Sequence, residues 1–351
     1  MTSFHIATIP GDGIGPEVIG AALSVLEAAG RRFGFALDIE RLPYGADHYL
    51  ATKETLPDHA FRHLQNDVDA ILLGAVGDPR VPGNEHARDI LLGLRFRLDL
   101  YINLRPVVLL HPDLTPLKTV RRPDGQTANI DFVIFRENTE GMYLARGRVE
   151  GDEHIAEEVN TTKGVERIIR AAFAYAKQHG RTRVTMSDKS NAIPAHRLWQ
   201  EKFKAVAAEY PGIAAEHRYV DALAMEMVKD PCRFEVIVTN NLYGDILSDL
   251  GAGLVGGLGL AASANLHPGR AGLFEPVHGS APPLAGKNVA NPFAAILSGA
   301  MMLRELGQAE AAAALERAVR AAIAAGIRTP DIGGTTGTRE AAAWVGGQIG
   351  R

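Results

Sequence analysis

Two carboxylates four residues apart, Asp245 and Asp249, occur in the segment NNLYGDILSDLG. A helix beginning at about Asp245 would place both on one face, where the like charges repel unless a cation offsets them. Oxygen ligands in small number suit Mg²⁺ or Mn²⁺, but a helix N-terminus also favours carboxylates without any metal. Both interpretations stay open from the spacing alone, with Asp221 of YVDALAMEM as a candidate third ligand.

Three arginines are candidates for binding a carboxylate substrate. Arg95 lies on an apolar segment, Arg105 precedes a proline, and Arg136 follows the apolar run FVIF. Guanidinium groups form bidentate pairs with carboxylates, and ligands of α/β proteins bind at strand ends. A solvated surface charge is an equal alternative for Arg95 and Arg105, whereas the position of Arg136 before ENTEG favours binding.

Lys189 lies in the polar segment SDKSN, directly after a short apolar strand. A lysine near a metal ion and other cations can lose its proton readily enough to act as a base. An ordinary solvated lysine explains the same pattern equally well. The sequence therefore nominates Lys189 as a base without deciding the matter.

Two glycine-rich segments are candidates for the approach of backbone to a ligand. GDGIGPE at Gly11–Glu17 lies between a strand and a helix, but its spacing does not fit a Rossmann fingerprint. Leu273–Pro292 reads as a long loop with small residues beside His278 and Asn291, and long ordered loops are often functional. A lone histidine is usually structural, so we do not expect His278 to be catalytic.

These segments need strands and helices to position them. Short apolar runs predict strands at His5–Ile9, Ala70–Leu73, Phe132–Phe135, Val184–Met186 and Glu235–Thr239. Amphipathic stretches predict helices at Glu17–Ala29, Thr162–His179 and Ala309–Ala325, and Leu250–Gly269 reads as a helix and loop inside the protein. The alternation predicts an α/β fold with a largely parallel sheet.

Composition restricts the partners and the compartment. The formal net charge is −4 over 351 residues, which argues against a broad electrostatic hold on nucleic acid or an anionic membrane. The single cysteine, Cys232, allows no internal disulfide and is expected to be a half-buried structural thiol. The first residues lack the features of a signal peptide, so we expect a cytoplasmic protein.

Taken together, the motifs resemble the β-decarboxylating dehydrogenase family, which includes 3-isopropylmalate, isocitrate, homoisocitrate and tartrate or D-malate dehydrogenases. The resemblance runs from HIATIPGDGIGPE to TPDIGGTTGT and includes LRFRLDLYINLRPV, RENTEGMY, SDKSN, YVDALAM, NNLYGDILSDLG and FEPVHGSAP. It implies a two-domain α/β fold that is not Rossmann, with residues 1–101 and 256–351 in the first domain and 102–255 in the second. It also implies a homodimer whose active sites are shared between subunits.

The resemblance assigns roles to individual residues. Arg95, Arg105 and Arg136 would bind the substrate carboxylates, Lys189 would be the base for the C2 hydroxyl, and Tyr143 the acid for C3. Asp221, Asp245 and Asp249 would hold Mg²⁺ or Mn²⁺, with Lys189 and Asp221 reaching in from the other subunit. The residues implied on the cofactor side are Ile14, Ala75, Val76, His278, Gly279, Ser280, Ala281, Asn291 and Asp331.

The substrate and the cofactor are less constrained. Leu91 and Leu92 lie on the segment before Arg95, with which members of the family contact the C3 substituent. These apolar side chains suit an isopropyl group or a smaller substituent. Arg88 is either a surface charge or a ligand for a distal carboxylate. We expect 3-isopropylmalate, with D-malate or tartrate, then homoisocitrate or isocitrate, as alternatives. Asp331 favours NAD, although Pro283 and Leu284 match neither the NAD nor the NADP pattern. A silent regulatory subunit is disfavoured because Tyr143, Lys189 and the carboxylates are present.

Overall fold

The structure is a computed structural model that describes residues 2–118 and 129–349 of the chain. The chain divides into two compact units. Unit 1 comprises Met1–Leu100 and Gly256–Arg351, and unit 2 comprises Tyr101–Val255. Unit 1 is therefore assembled from two separate stretches of sequence.

Short apolar or alternating runs form the strands of the described residues. In chain order these are β1 (Thr2–Ile9), β2 (Phe35–Arg41), β3 (Ala70–Leu73), β4 (Ile102–Val108), β5 (Asp131–Glu137), β6 (Gly147–Glu150), β7 (Glu153–Ala156), β8 (Arg183–Asp188), β9 (Ala214–Tyr219), β10 (Val236–Thr239), β11 (Ala262–Leu266) and β12 (Gly272–Pro276). The strands predicted around FVIF, AILL and VIVT are confirmed, and all four residues of β3 and of β10 are buried. Full burial suits strands with neighbours on both edges and helices over the sheet.

The α-helices are mostly amphipathic. In chain order they are α1 (Gly15–Phe33), α2 (Ala46–Thr52), α3 (Asp58–Asn66), α4 (Glu85–Arg97), α5 (Thr162–Gln178), α6 (Arg197–Ala207), α7 (Val220–Lys229), α8 (Asn241–Leu254), α9 (Phe293–Glu305), α10 (Ala309–Ala324) and α11 (Thr338–Ile349). The predicted helices α1, α5 and α10 are confirmed, although α1 is longer at both ends than predicted.

In unit 1 the strand order is β2-β1-β3-β12-β11. The first four strands are parallel, and β11 pairs with β12 in the antiparallel direction. Because β1, β3 and β12 run in the same direction, the loops that follow them leave the same edge of the sheet. This arrangement brings the turn after β1 close to the loops after β3 and β12. The two glycine-rich segments noted in the sequence belong to these connections.

In unit 2 the strand order is β4-β5-β10-β8-β9, and the parallel part is β5-β10-β8-β9. Arg136 lies near the carboxyl end of β5, and SDKSN spans the carboxyl end of β8. In the antiparallel pair β4–β5, Arg136 lies opposite Asn103 and Ile134 opposite Arg105. Residues two apart share a face of the sheet, so Arg105 and Arg136 lie on the same face.

The predicted start of the helix that carries Asp245 is wrong. Helix α8 begins at Asn241, and the side chain of Asn240 caps it by accepting a hydrogen bond from the backbone N–H of Tyr243. Asparagine is among the best N-cap residues because its short side chain reaches these otherwise unpaired N–H groups. Asp245 therefore lies in the second turn, where the helix terminus contributes less to holding a carboxylate.

The predicted helix and loop over Leu250–Gly269 is only partly correct. Helix α8 ends at Leu254, but Ala262–Leu266 forms strand β11. The small residues of this segment do not predict a strand, and pairing with β12 determines its conformation. Likewise, the first four residues of the predicted loop Leu273–Pro292 belong to β12. None of the described helices is both long and apolar enough to cross a bilayer.

Candidate active site

Asp245 is the centre of a group of polar side chains in unit 2. The buried guanidinium of Arg136 donates to one of its carboxylate oxygens, and the hydroxyl of Tyr143 donates to the other. The Nε of Arg136 also donates to Oδ1 of Asn241 at 2.8 Å, and its guanidinium carbon lies 5.0 Å from the ring centre of Tyr143. The structure thus brings together three residues that the sequence singled out separately.

Arg105 joins this group from strand β4. Its Nη1 lies 3.3 Å from Oδ1 of Asp245 and 3.5 Å from Oδ1 of Asp249, and it donates to Oγ of Ser248 at 2.5 Å. Carboxylates one helical turn apart therefore converge on a single nitrogen. At these distances the contacts of Arg105 with the two carboxylates are long-range electrostatic ones, and its short hydrogen bond is the one to Ser248.

The donor set at Asp245 and Asp249 fits a divalent cation of the Mg²⁺ class. Burial raises the pKa of Asp249, the nearby guanidinium of Arg105 lowers it, and the negative charge of Asp245 raises it, with a net upward shift. The charge of Asp245 thus disfavours the ionised form of Asp249, and a cation bound between the two would relieve this repulsion. Two carboxylates with room for water or substrate oxygens are the ligands that Mg²⁺ and Mn²⁺ usually take from proteins.

Lys189 and Asp221 form a second pair in unit 2. The Nζ of Lys189 lies 2.6 Å from Oδ1 of Asp221, and this hydrogen bond lowers the pKa of the Asp221 carboxyl. The side chain of Asp221 is 66% exposed. Within residues 2–118 and 129–349 of one chain, Asp221 does not converge with Asp245 and Asp249 on a common point.

The backbone of Lys189 is held by a buried histidine. The N–H of Lys189 donates to Nδ1 of His196 at 3.1 Å. Because an N–H can only donate, Nδ1 carries no proton, and Nε2–H of His196 donates to Glu158 at 3.0 Å. Burial raises the pKa of Glu158, but hydrogen bonds from His196, Asn160 and Asn240 outweigh it and lower the pKa overall. The resulting carboxylate fixes the tautomer of His196.

In unit 1, three loops at the carboxyl edge of the sheet are joined by hydrogen bonds. The N–H of Asp12 donates to the carbonyl of Ala75 at 2.7 Å, and that of Ile14 to the carbonyl of Ser280 at 2.8 Å. The Oγ of Ser280 donates to the carbonyl of Gly77 at 2.5 Å. Three of the residues assigned to the cofactor side, Ile14, Ala75 and Ser280, therefore hold this frame together.

The turn after β1 requires glycine because its backbone approaches both neighbouring loops. Gly11 and Gly13 have φ values of +74° and +56°, in the left-handed region. A Cβ on Gly11 would lie 2.2 Å from the carbonyl oxygen of Ala75, and one on Gly13 2.0 Å from that of Ser280. The glycines of GDGIGPE therefore serve close loop packing.

Polar groups lie beside this frame. The Nδ2 of Asn291 donates to Oδ2 of Asp331 at 3.0 Å, and Oγ1 of Thr329 donates to the other carboxylate oxygen at 2.5 Å. Burial lowers the pKa of His278, partly opposed by the carbonyl of Gly279 and the charge of Asp331. The imidazole is therefore neutral at physiological pH, while Asp331 stays exposed at the surface.

The remaining residues assigned to the cofactor side offer small or apolar surfaces. Val76 is half-buried, Gly279 is exposed, and Ala281 is half-buried in the left-handed region at φ +38°. Because their side chains are short, a ligand can approach the backbone closely. The donor and acceptor groups of this loop cluster suit a nucleotide cofactor.

Helix α4 carries the residues expected to contact the substrate from unit 1. Leu91 and Leu92 are half-buried and Arg88 is exposed. Arg95 is buried, and its Nη2 donates to Oε1 of Glu275 at 2.7 Å, while its Nε has no partner among the described residues. The ion pair with Glu275 was not visible in the sequence, because 180 positions separate the two residues.

Several supporting residues were missed by sequence reasoning. Asn241 orients Arg136, Ser248 binds Arg105, and His196 holds Lys189. The signal for Asn241 was the pair Asn-Asn directly after the apolar run VIVT, since side chains at strand ends meet ligands and neighbouring loops. His196 offered no signal, because nothing in its neighbourhood distinguishes it from a core histidine.

Asp12 is another supporting residue that sequence reasoning missed. Its Oδ1 accepts the N–H of Ala46 at 2.6 Å, and its Oδ2 accepts the N–H of Gly77 at 2.7 Å. The Nε2 of the fully buried His86 donates to the same Oδ2 at 2.8 Å. One aspartate thus ties the turn after β1 to α2, to the loop after β3 and to α4.

Comparisons with known proteins agree over the whole chain. The family described as isocitrate/isopropylmalate dehydrogenase matches residues 5–345. The 3-isopropylmalate dehydrogenase of Thermobifida fusca (strain YX) is 47% identical over 322 residues, covering 90% of this chain and 89% of that protein. That of Clavibacter michiganensis subsp. michiganensis is 48% identical over 335 residues, covering 92% of each.

Solved structures give the same result. The crystal structure of isocitrate dehydrogenase from Methylococcus capsulatus matches with a TM-score of 0.88 and 39% identity, covering 100% of both chains. The TT0538 protein of Thermus thermophilus matches with a TM-score of 0.86 and 36% identity, covering 99% of this chain and 68% of that one. The expected fold class, two-domain α/β and not Rossmann, is confirmed.

Proposed function

Because the chain belongs to the isocitrate/isopropylmalate dehydrogenase family, we propose that it catalyses the NAD-dependent oxidative decarboxylation of (2R,3S)-3-isopropylmalate to 4-methyl-2-oxopentanoate, a step of leucine biosynthesis. The chain is a decarboxylating dehydrogenase, as the family and its named relatives are. The observation that carries the proposal is the convergence of Arg136 and Tyr143 on Asp245. A cation-binding carboxylate beside a guanidinium and a phenol suits a hydroxy acid with two carboxylates.

Arg105 and Arg136 bind the substrate carboxylates in this proposal, together with Arg95 of unit 1. Both residues of unit 2 are buried, lie on one face of the sheet and converge on the same aspartate. Their guanidinium groups are weakly hydrated and fork-shaped, which favours a planar carboxylate over other anions. Asp245 and Asp249 offset the two cations, so a dication bound to these carboxylates would leave a net positive charge that a dianionic substrate compensates.

Asp245 and Asp249 hold Mg²⁺ or Mn²⁺, with Asp221 from a second copy of the chain as third carboxylate. When bound, the cation would supply Lewis-acid polarisation of the C2 oxygen, and a nicotinamide would supply the hydride acceptor. The support for this assignment is the convergence of Asp245 and Asp249 on one nitrogen of Arg105. The hydrogen bonds from Arg136 and Tyr143 also fix the orientation of the Asp245 carboxylate.

Lys189 and Tyr143 move the protons. Lys189 takes the proton of the C2 hydroxyl, so that a ketone forms as the hydride leaves C2. After CO₂ departs, the hydroxyl of Tyr143 returns a proton to C3. Supporting this division, Lys189 is held on its backbone by His196, and Tyr143 is oriented by Asp245. Both groups thus have a defined position.

The cofactor side is formed by unit 1. The turn after β1 and the loops after β3 and β12 bring backbone N–H groups and small side chains to one edge, and the exposed carboxylate of Asp331 lies beside Asn291. A carboxylate accepts hydrogen bonds from ribose hydroxyls and repels a 2′-phosphate. This supports NAD rather than NADP. The residues proposed to contact it are Ile14, Ala75, Val76, His278, Gly279, Ser280, Ala281, Asn291 and Asp331.

The preference for 3-isopropylmalate rests on helix α4 and on the names of the relatives. The half-buried Leu91 and Leu92 offer an apolar surface for an isopropyl group, and Arg88 is exposed. Relatives named 3-isopropylmalate dehydrogenase are 47% and 48% identical to this chain. Each methylene in an apolar pocket is worth roughly 1–3 kcal/mol, so activity on D-malate is expected at a lower rate.

We also propose a homodimer that works in the cytoplasm. On helix α7, Asp221, Met225 and Val228 follow the i, i+4, i+7 spacing of one helix face, and Met225 and Val228 are 50% and 41% exposed. Ile246, next to Asp245 on α8, is 59% exposed. Covering these apolar side chains with a second copy would bring an Asp221 to the carboxylates of the other chain. Biosynthesis of an amino acid agrees with a cytoplasmic location.

The proposal is tested by the initial rate of NADH formation with Mn²⁺ present and equal concentrations of 3-isopropylmalate, D-malate and isocitrate. We expect the highest kcat/KM with 3-isopropylmalate. Lys189→Ala should lower kcat by about 10²- to 10⁴-fold, the usual contribution of a general base. Lys204→Ala, at an exposed lysine of α6, is the matched control and should retain full activity.

The outcomes separate the alternatives. A preference for D-malate would keep the family and overturn the substrate. An unchanged rate for Lys189→Ala would overturn the role of the lysine. Sedimentation of an active monomer at assay concentration would overturn the shared active site, because Asp221 would then have no second chain to reach.

A further inference from the structure

Three side chains with metal-binding chemistry converge at the edge of the unit 1 sheet. His5 comes from β1, Glu40 from the edge strand β2, and His63 from α3. The Nε2 of His63 lies 2.6 Å from Oε2 of Glu40, and the Nε2 of His5 lies 3.4 Å from the same oxygen. One ligand atom from each residue lies within 4.8 Å of the others. This cluster uses none of the residues assigned above to substrate, cofactor or Mg²⁺.

Asp67 orients both imidazole rings. Its backbone carbonyl oxygen is 2.9 Å from Nδ1 of His5, and its carboxylate oxygen is 3.1 Å from Nδ1 of His63. Carbonyl and carboxylate oxygens only accept, so each Nδ1 carries a proton and donates it. Both Nε2 atoms are thereby turned toward Glu40. A histidine whose other ring N–H is held by a carboxylate or a carbonyl is the usual arrangement of a metal ligand.

The short contact between Glu40 and His63 needs a positive charge. With Nδ1 protonated, a neutral His63 would place a lone pair on Nε2 only 2.6 Å from an oxygen of the Glu40 carboxylate. Two acceptors at this distance repel unless the ring carries a second proton, because 2.6 Å is too short for a metal ion to lie between the two atoms. A metal ion can therefore take this position only by replacing the Nε2 proton of His63, with the two side chains moving apart.

We propose that His5, Glu40 and His63 form a site for a late first-row divalent cation, with Zn²⁺ as its best match. Two imidazoles and one carboxylate suit Zn²⁺, and the partial exposure of the three side chains, 31%, 37% and 30%, leaves a position for water. A tetrahedral ion with bonds of about 2.0–2.1 Å separates its ligand atoms by about 3.3–3.4 Å. The His5–Glu40 pair already has this separation, and His63 has to withdraw by about 0.8 Å.

Such an ion would tie the edge strand β2 and the C-terminal turn of α3 to β1. Exposed edge strands are prone to fraying and to pairing with other chains, and a metal bridge across an edge opposes both. Mg²⁺ would not compete for this site, because it prefers an octahedral set of oxygen ligands. The two metal sites of the protein are therefore distinguished by ligand chemistry.

The test is a calorimetric titration of the chelator-treated full chain with Zn²⁺ in excess Mg²⁺, which occupies the oxygen-ligand site. We expect one Zn²⁺ per chain for the unchanged protein and for His59→Ala, an exposed histidine one turn earlier on α3. His63→Ala and Glu40→Gln should weaken binding by more than about 100-fold, and Asp67→Asn by about 10- to 100-fold. Thermal unfolding of each variant without Zn²⁺ verifies that it is folded.

Co²⁺ gives an independent readout, since imidazole ligands and a four-coordinate geometry produce visible absorption that His63→Ala should abolish. The proposal is overturned if no Zn²⁺ binds in excess Mg²⁺. It is also overturned if binding in His63→Ala and Glu40→Gln equals that of the unchanged protein. Because Glu40→Gln preserves size and shape, it decides the matter even if removal of a histidine disturbs the fold.

Discussion

Gly244 faces the side chain of Arg136 so closely that no other residue fits between them. A Cβ on Gly244 would lie 2.6 Å from both Cβ and Cγ of Arg136. Gly244 lies in the first turn of α8, and this contact allows the buried guanidinium to reach Asp245. The glycine is therefore required by the placement of an arginine and not by its own backbone conformation.

From this contact we expect Gly244→Ala to displace Arg136 and to lower kcat/KM by about 100-fold, since a misplacement of about 1 Å in a site has this effect. The measurement is steady-state kinetics with 3-isopropylmalate. Gly253→Ala on the same helix is the control, because a Cβ there meets nothing within 4 Å. That variant should keep its activity, and equal losses in both would refute the role of the contact.

The hydrogen bond from Lys189 to His196 predicts that His196 acts as a positioning residue. We expect His196→Ala to lower kcat by about 10- to 100-fold with little change in KM, the loss typical when a group that orients a ligand is removed. His196→Asn keeps an acceptor oxygen near the position of Nδ1 and should recover part of kcat. If the alanine and asparagine variants lose the same activity, or if only KM changes, His196 is merely structural.

The carboxylate of Asp331 predicts the cofactor preference. Hydrogen bonds to a charged group contribute about 1.5–3 kcal/mol, so Asp331→Asn should raise the KM for NAD by about tenfold or more. The KM for NADP should fall, because the repulsion of its 2′-phosphate is removed. Glu310→Gln, an exposed carboxylate on α10, makes the same change in net charge and is the control. An unchanged NAD-to-NADP ratio would contradict the assignment.

The half-buried imidazole of His278 predicts a pH dependence of stability. Burial lowers the pKa of His278 below its ordinary value of 6.5. The unfolded chain therefore binds this proton more readily, so stability is complete above pH 6.5 and falls as the pH decreases toward the folded pKa. The His278→Gln variant has no imidazole to protonate, so this loss of stability is removed. The Tm of the unchanged protein should thus drop more than that of the variant between about pH 7.5 and 5.5; parallel curves would exclude the effect.

Much of the fold could be predicted from local pattern. The apolar runs AILL and VIVT are strands with the expected bounds or within one residue of them, and the amphipathic helices α5 and α10 differ from prediction by a single residue at the end. Strand β11 was missed because ASANL has no apolar alternation, and its pairing with β12 decides its conformation.

The candidate site was predictable as a set of residue types. Asp245 and Asp249 were nominated by their spacing of four residues, and Arg136 and Lys189 because each follows an apolar run. Their partners could not be nominated in this way. His196 contacts Lys189 only through the backbone, and a single histidine carries no pattern that separates this role from a structural one, whereas the position of Asn241 after VIVT was a weak signal.

The sequence by itself determined the α/β class, the elements with clear periodicity and the order of the chemical groups along the chain, because the periods of 3.6 and 2 residues are local properties. The tertiary structure decided which of these groups meet. Arg95 pairs with Glu275 across 180 positions, and His5 meets His63 and Glu40 from three separate elements. Such contacts depend on strand order and register. Both are determined jointly by residues that lie far apart in the sequence.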